Sequence, residues 1–339
     1  MLIKSKNNIN YMVDSRMELL FGIHSAFQRI EPNENLDWVE LPSIPYVEEV
    51  IELIKIQNHP ELCNYIKYAW DSCDDIPNIA LAFDEEFNLC EDKLNARIKE
   101  SFQYGDIYSF SKLIKDLAVE LNWEHFLQSK KNFFEKLLND IISFPDNLDI
   151  NDIITYYGYA KSSYNYVISV LINGGFGIES NSNDLYCIRG FQFDEDEKEF
   201  IVNKDYLLEN LFHEFSHPYV NPIIDKYFSY FTNVKEFQEE ALKHNLFKTY
   251  SKYPKTLFYE YFVRANAKYL SSKYSGNMQI AEGVLKHGFI HLKELTNFIS
   301  KNKANYPTFE DLFINELVSY INDIGNKKNE HKLQISKNN

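Results

Sequence analysis

Glycine and proline are scarce, at 11 and 10 of 339 residues, which excludes collagen-like and low-complexity chains and leaves few long irregular loops. Cysteine is scarcer still. Cys63, Cys73, Cys90 and Cys187 lie far apart with no C-x-x-C pair, so no cysteine zinc finger is encoded and the thiols read as reduced core residues. Positive charge is in deficit, 35 Lys and Arg against 50 Asp and Glu. The net charge of -15 argues against nucleic-acid backbones and anionic membranes as partners. No stretch approaches the ~18 apolar residues of a membrane span, and the first 16 residues lack the apolar run of a signal peptide. The chain therefore reads as soluble and cytoplasmic. Secretion stays open, because a leader already removed would leave the same sequence.

What is plentiful is bulk. Hydrophobic residues make up 45% and aromatic residues 16%, enough for a sizeable core in one large domain or two. Helical spacing of apolar residues runs over 47–59 and 61–70, with Pro60 at the first turn of the second helix, and again over 79–87, 90–104, 107–121 and 123–143. Residues 1–150 thus form a mainly helical region without a catalytic signature. Residues 164–172, YNYVISVLI, then turn β-branched and aromatic; Asn173, Gly174 and Gly175 supply turn chemistry, and a strand pattern resumes over 185–193. This predicts a β-hairpin or small sheet, with residues 167–173 as an exposed edge to which an extended peptide could add. Asp194, Glu195, Asp196 and Glu197 read as a solvated turn. Helical spacing returns over 233–244, 255–272, 278–300 and 308–323, the last with a Thr308 and Asp311 capping pattern. The expectation is an α+β, predominantly helical protein, with a catalytic region over 151–325 and a disordered tail over 326–339.

The chemistry concentrates in residues 207–222, LLENLFHEFSHPYVNP. His213, Glu214 and His217 form H-E-x-x-H. On a helix, positions i and i+4 lie one above the other, so both imidazoles can reach one metal ion. Glu214 is about 100° round from His213, close enough to touch water on that metal. The spacing describes a zinc site with a general base beside it. The plain alternative is a core helix with two incidental histidines, but its apolar surroundings make unpaired polar groups costly. Pro218 directly follows the second histidine and predicts that the helix ends or kinks there.

A catalytic zinc commonly has three protein ligands and an open position. No third histidine follows at the H-x-x-G-x-x-H spacing, which points to a carboxylate. Glu260, in the apolar segment LFYEYFV, is the first candidate, either as ligand or as an i,i+4 partner of Arg264, or both. Glu236, Glu239 and Glu240 are the fallback. An oxyanion stabiliser is sought among His287, Arg264 and the tyrosines.

His213 to His217 followed by Tyr219, Val220, Asn221 and Pro222, then Glu260, Val263, Arg264 and Ala265, is similar to the bacterial proteins grouped as domain of unknown function 4932. Asp14 to Leu19, Asn58 to Pro60 and Tyr306 to Phe309 also resemble that family's pattern, so the likeness spans roughly residues 12–320. It implies a gluzincin-type metallopeptidase with a zincin-like core behind a small β-sheet. It further implies His213, His217 and Glu260 as zinc ligands and Glu214 as base, but supplies no substrate; a peptide or protein substrate is what the zinc-hydrolase reading of the residues expects. The rival expectations are a non-catalytic zinc-binding protein, a helical interaction module without metal, and a zinc hydrolase acting on something other than a peptide.

Overall fold

The computed structural model describes residues 2–31, 43–69, 75–94, 98, 106–142, 147–172, 174–191, 193–194, 196, 199–243, 253–286 and 288–324. The protein is α+β and mostly helical, with a small mixed sheet. Contacts divide the chain into two compact units, Met1–Asp146 with Lys161–Leu207, and Asn147–Ala160 with Leu208–Asn339. The polar tail expected over 326–339 lies outside the described residues, as does most of the helix expected over 90–104.

The first unit opens with a hairpin, β1 (Leu2–Lys6) and β2 (Ile9–Val13). Asn7 and Asn8 join the strands at φ of 57° and 60°, the backbone that a two-residue turn of right-handed strands demands and that asparagine tolerates. Asp14 caps the next element, α1 (Ser15–Ile30), by accepting the Arg16 and Met17 amides. Ser15 through Phe27 are all buried. Close packing begins at Gly22, where a Cβ would meet Val50 Cγ1 at 2.7 Å. Val50 belongs to α2 (Pro45–Ile54), which is followed by α3 (Pro60–Ala69) and α4 (Asp75–Leu81). The helix expected over 79–87 stops early: Phe87 has φ 62° and Phe83 bridges Leu89 instead. The next helices are α5 (Ile107–Glu120), α6 (Trp123–Ser129) and α7 (Lys131–Ile141), so the long helix expected over 123–143 is broken at Lys130.

Three more strands complete the sheet: β3 (Ser163–Ile168), β4 (Gly175–Glu179) and β5 (Asp184–Arg189), in the order β1-β2-β3-β5-β4. β3 is parallel to both β2 and β5, while β4 is antiparallel to β5. This corrects the hairpin expected between residues 164–172 and 185–193. The hairpin is β4–β5, and β3 is interior rather than the exposed edge. Its inward position explains why Tyr164 to Ile168 are all buried, since strands covered on both faces read as continuous apolar runs. A short ribbon, β6 (Phe193–Asp194) with β7 (Glu199–Phe200), follows, and Asp196 sits in its turn.

A buried carboxyl tests this unit. Glu18 is fully buried on α1, with the Tyr46 hydroxyl donating to Oε2 at 2.5 Å. Burial pushes its pKa from 4.5 up to about 7, and the Asp14 charge acts in the same direction. The folded state therefore holds an extra proton between those values, so this contribution to stability is full below about 4.5 and is lost as pH rises through about 7. Denaturant midpoints across that window should fall with pH, and Glu18→Gln should flatten the slope. An unaltered slope would assign the titration to another group.

The second unit contains α8 (Asn151–Tyr157) and the long α9 (Lys204–Tyr227), whose first turn belongs to the first unit. It continues with α10 (Val234–Lys243), α11 (Pro254–Ser275), α12 (Glu282–Lys286), α13 (Leu292–Asn302) and α14 (Phe309–Leu312). The single helix expected over 278–300 is thus two, separated where Gly288 takes φ 104°. The expected Thr308 and Asp311 capping box is present. Its core is aromatic: Phe231, Phe258, Phe262, Phe309 and Phe313 pack ring against ring. No helix among the described residues is long and apolar enough to cross a membrane.

Candidate metal centre

Sequence turns α9 into a platform. Leu208, Leu211, Phe212, Phe215, Tyr219, Val220 and Ile224 are buried, which leaves His213 and His217 on a half-buried stripe between them. Of the two outcomes expected from Pro218, an end or a kink, the end does not occur: the helix continues through both Pro218 and Pro222 to Tyr227. Proline removes one amide donor per site, and four residues apart the two losses fall on the same stripe. Burial of the apolar residues on both sides of that stripe outweighs two missing hydrogen bonds.

α11 runs antiparallel to this platform, since the contacts climb one helix while they descend the other. Glu209 pairs with Lys268 at 2.9 Å, and His213 and His217 both face Glu260. α8 fastens the pair. Tyr156 donates to Asn266 Oδ1 at 2.6 Å, and Tyr157 donates to Ser216 Oγ at 2.7 Å, which itself donates to the Phe212 carbonyl. Burial drives both phenols well above their ordinary pKa, so they stay protonated donors.

Three donors converge. His213 Nε2 and His217 Nε2 are 3.2 Å apart, His217 Nε2 is 3.5 Å from Glu260 Oε1, and His213 Nε2 is 3.8 Å from Glu260 Oε2. Ligands about 2.05 Å from a tetrahedral zinc would be separated by about 3.3 Å, so the triangle is of ligand size. The chemistry of the set also fits a cation. Glu260 is buried, and two imidazole nitrogens face each other although both are acceptors when they ligate a metal. His213, His217 and Glu260 could therefore hold a metal ion, and an imidazole–imidazole–carboxylate set suits zinc among the borderline metals.

The surroundings orient these donors. Arg264 Nη2 lies 2.9 Å from Glu260 Oε2 as an i,i+4 ion pair, and its guanidinium rests 4.8 Å from the centre of the Phe289 ring. Glu260 thus pairs with Arg264, as one of its sequence readings expected, and at the same time joins His213 and His217 in the cluster. His217 Nδ1 lies 3.4 Å from Asn221 Oδ1. In the sequence Asn221 stood out only as part of the family pattern, although its i+4 spacing from His217 was the available signal. Glu214 is buried on the same helix beside His213. His287 lies outside the described residues, and among the acidic residues of α10 none joins the three-donor cluster.

An outer partner that fixes a ligating histidine's tautomer is worth about 10- to 100-fold in metal affinity. Asn221→Ala is expected to weaken the binding of a metal ion there by that amount in a chelator competition. Unchanged affinity would mean that the Nδ1 contact does not orient the ring.

The model of a family described as a domain of unknown function, DUF4932, matches residues 73–320. The chain belongs to the DUF4932 family. No curated protein and no solved structure matches it. The DUF4932 match includes every member of the cluster, together with Glu214, Asn221 and Arg264.

Proposed function

We propose that this DUF4932 protein is a zinc-dependent hydrolase, a metallopeptidase of the gluzincin type on a zincin-like core. The observation that carries the reading is the convergence of His213, His217 and Glu260 within 4.8 Å of one another, with Glu214 on the same helix as the histidines. Two imidazoles and one carboxylate make a three-donor set, which leaves zinc a fourth position; purely structural zinc sites usually close all four with protein. Bound there, zinc would act as a Lewis acid toward water and the scissile carbonyl.

The remaining work falls to the chain's own groups. Glu214, one position from His213, takes a proton from the attacking water and returns it to the leaving amine. Arg264 holds Glu260 in the orientation that presents its oxygens to the histidines, and Asn221 does the same for the His217 ring. The aromatic packing of α9 and α11 keeps the donors in register, because their rotamers are fixed by buried neighbours. The substrate is a peptide or protein, and the net charge of -15 disfavours nucleic acid.

The test is a peptide-library digest read by mass spectrometry. Cleavage that a chelator abolishes and added zinc restores is the expected result. Full zinc occupancy without cleavage of any peptide would favour a non-catalytic zinc protein or a different scissile bond.

A further inference from the structure

Charged groups on the wall of a cavity need partners, and what the chain leaves unpaired there a ligand can complete. A cavity of about 110 Å³ lies within the first unit, and none of its lining residues belongs to the metal cluster. Its wall carries two cations, Arg16 and Lys93, and two carboxylates, Glu179 and Asp184, with the Tyr186 phenol and Leu81 beside them. A cavity of roughly 150 Å³ takes up benzene, so this one has room for a molecule of about five or six heavy atoms.

Local structure brings these groups together. Asp184 and Tyr186 stand two apart on β5 and so face the same side of the sheet. Asn181, in the β4–β5 turn, donates to the Asp92 carbonyl at 3.2 Å, which sets Lys93 beside that turn. Arg16 is 7% exposed and fixed: Asp14 accepts its Nε at 2.9 Å and Nη2 at 2.5 Å, and the Phe83 carbonyl accepts Nη1 at 2.7 Å. Each terminal nitrogen carries a second hydrogen, for which no acceptor stands among the described residues. There, too, the Lys93 ammonium has no ion pair and the Tyr186 hydroxyl no hydrogen bond. Burial pushes that phenol up to about 12, so it stays a donor. The acceptors are likewise half used. Lys161 takes Glu179 Oε1 at 2.7 Å and leaves Oε2 open. Asp184 accepts from the neutral hydroxyls of Ser163, Ser180 and Ser182, and no cation pairs with it among the described residues.

We propose that this cavity binds a small zwitterion, a free α-amino acid, its carboxylate meeting the spare hydrogens of Arg16, Lys93 and Tyr186 and its ammonium meeting Glu179 and Asp184. An anion alone would leave the two carboxylates uncompensated, and a cation alone would leave Arg16 and Lys93 so. A zwitterion completes both sets without adding net charge. An α-amino acid carries its two charges on one carbon unit and so matches the size of the space, and Leu81, 8% exposed, offers an apolar surface to a short side chain. The inference goes beyond the proposed hydrolysis and stands without it, because no metal-cluster residue takes part.

The experiment is a calorimetric titration of the full chain with L-alanine, with propionate, which lacks the ammonium, and with L-alaninamide, which lacks the carboxylate. Saturable binding of L-alanine is expected, at least about 10-fold tighter than either analogue, the factor that a hydrogen bond to a charged group contributes. Tyr186→Phe and Lys93→Gln break no hydrogen bond or ion pair among the described residues, so both variants should fold. Each should weaken L-alanine binding, Tyr186→Phe by about 10-fold or more. No saturable binding, or equal binding of propionate or of L-alaninamide, would overturn the proposal. So would L-alanine binding unchanged in both variants, which would place the amino acid elsewhere, the metal centre included.

Discussion

Glu214→Gln is expected to lower peptide hydrolysis by about 100- to 10,000-fold, the range that a positioned general base contributes, while zinc content stays at its natural level. Glutamine matches the shape of the buried side chain and can still accept a hydrogen bond, but it cannot take the proton of the attacking water. Zinc should be retained because the donor cluster consists of His213, His217 and Glu260, with Glu214 outside it. Both quantities must come from one preparation: turnover of a peptide found in the library digest, and zinc by elemental analysis. Loss of activity together with zinc would make Glu214 a support of the site, and retained activity would remove it from the chemistry.

Glu260→Gln has the second large effect, on affinity. The substitution keeps the volume and removes the charge that neutralises part of a divalent cation. It also leaves Arg264, 2.9 Å from that oxygen, facing a neutral amide. Zinc affinity is expected to fall by more than the roughly 10- to 100-fold assigned to loss of an outer partner. Arg264→Gln supplies the comparison, since it removes only the orienting contact and should stay within that range. Chelator competition on the two variants separates ligand from support. An Arg264 variant that loses more zinc than the Glu260 variant would reverse the assignment.

The three-donor cluster was legible because its information is local. His213 and His217 need only helical spacing, and Glu260 is marked by its isolation among apolar neighbours. Asn221 carried the same i+4 mark, but asparagine before proline reads first as turn chemistry. Pro218 did not end the helix for a related reason: the local penalty is visible in sequence, whereas the burial that outweighs it depends on packing that spacing does not reveal. The sheet was the least legible part. Asn173 to Gly175 announces a chain reversal, and the reversal is followed by β4 rather than by a return along β3. Parallel pairing of β3 with β2 and β5 joins residues about 150 and 20 positions apart, as Tyr166 with Tyr11 and with Cys187, and no short window contains both partners. The β1–β2 hairpin did have a local signal, in Asn7 and Asn8. Its strands are only five residues long, too short for alternation to stand out.

Metal content per chain tests most directly for a three-donor metal centre on α9 and α11. Elemental analysis of the natural protein should find about one zinc, as a single catalytic-type site requires, and a lowered content in Glu260→Gln and in His217→Ala. No zinc in the natural protein, or zinc indifferent to both substitutions, would contradict the claim and leave the H-E-x-x-H sequence as a helix pattern without its chemistry.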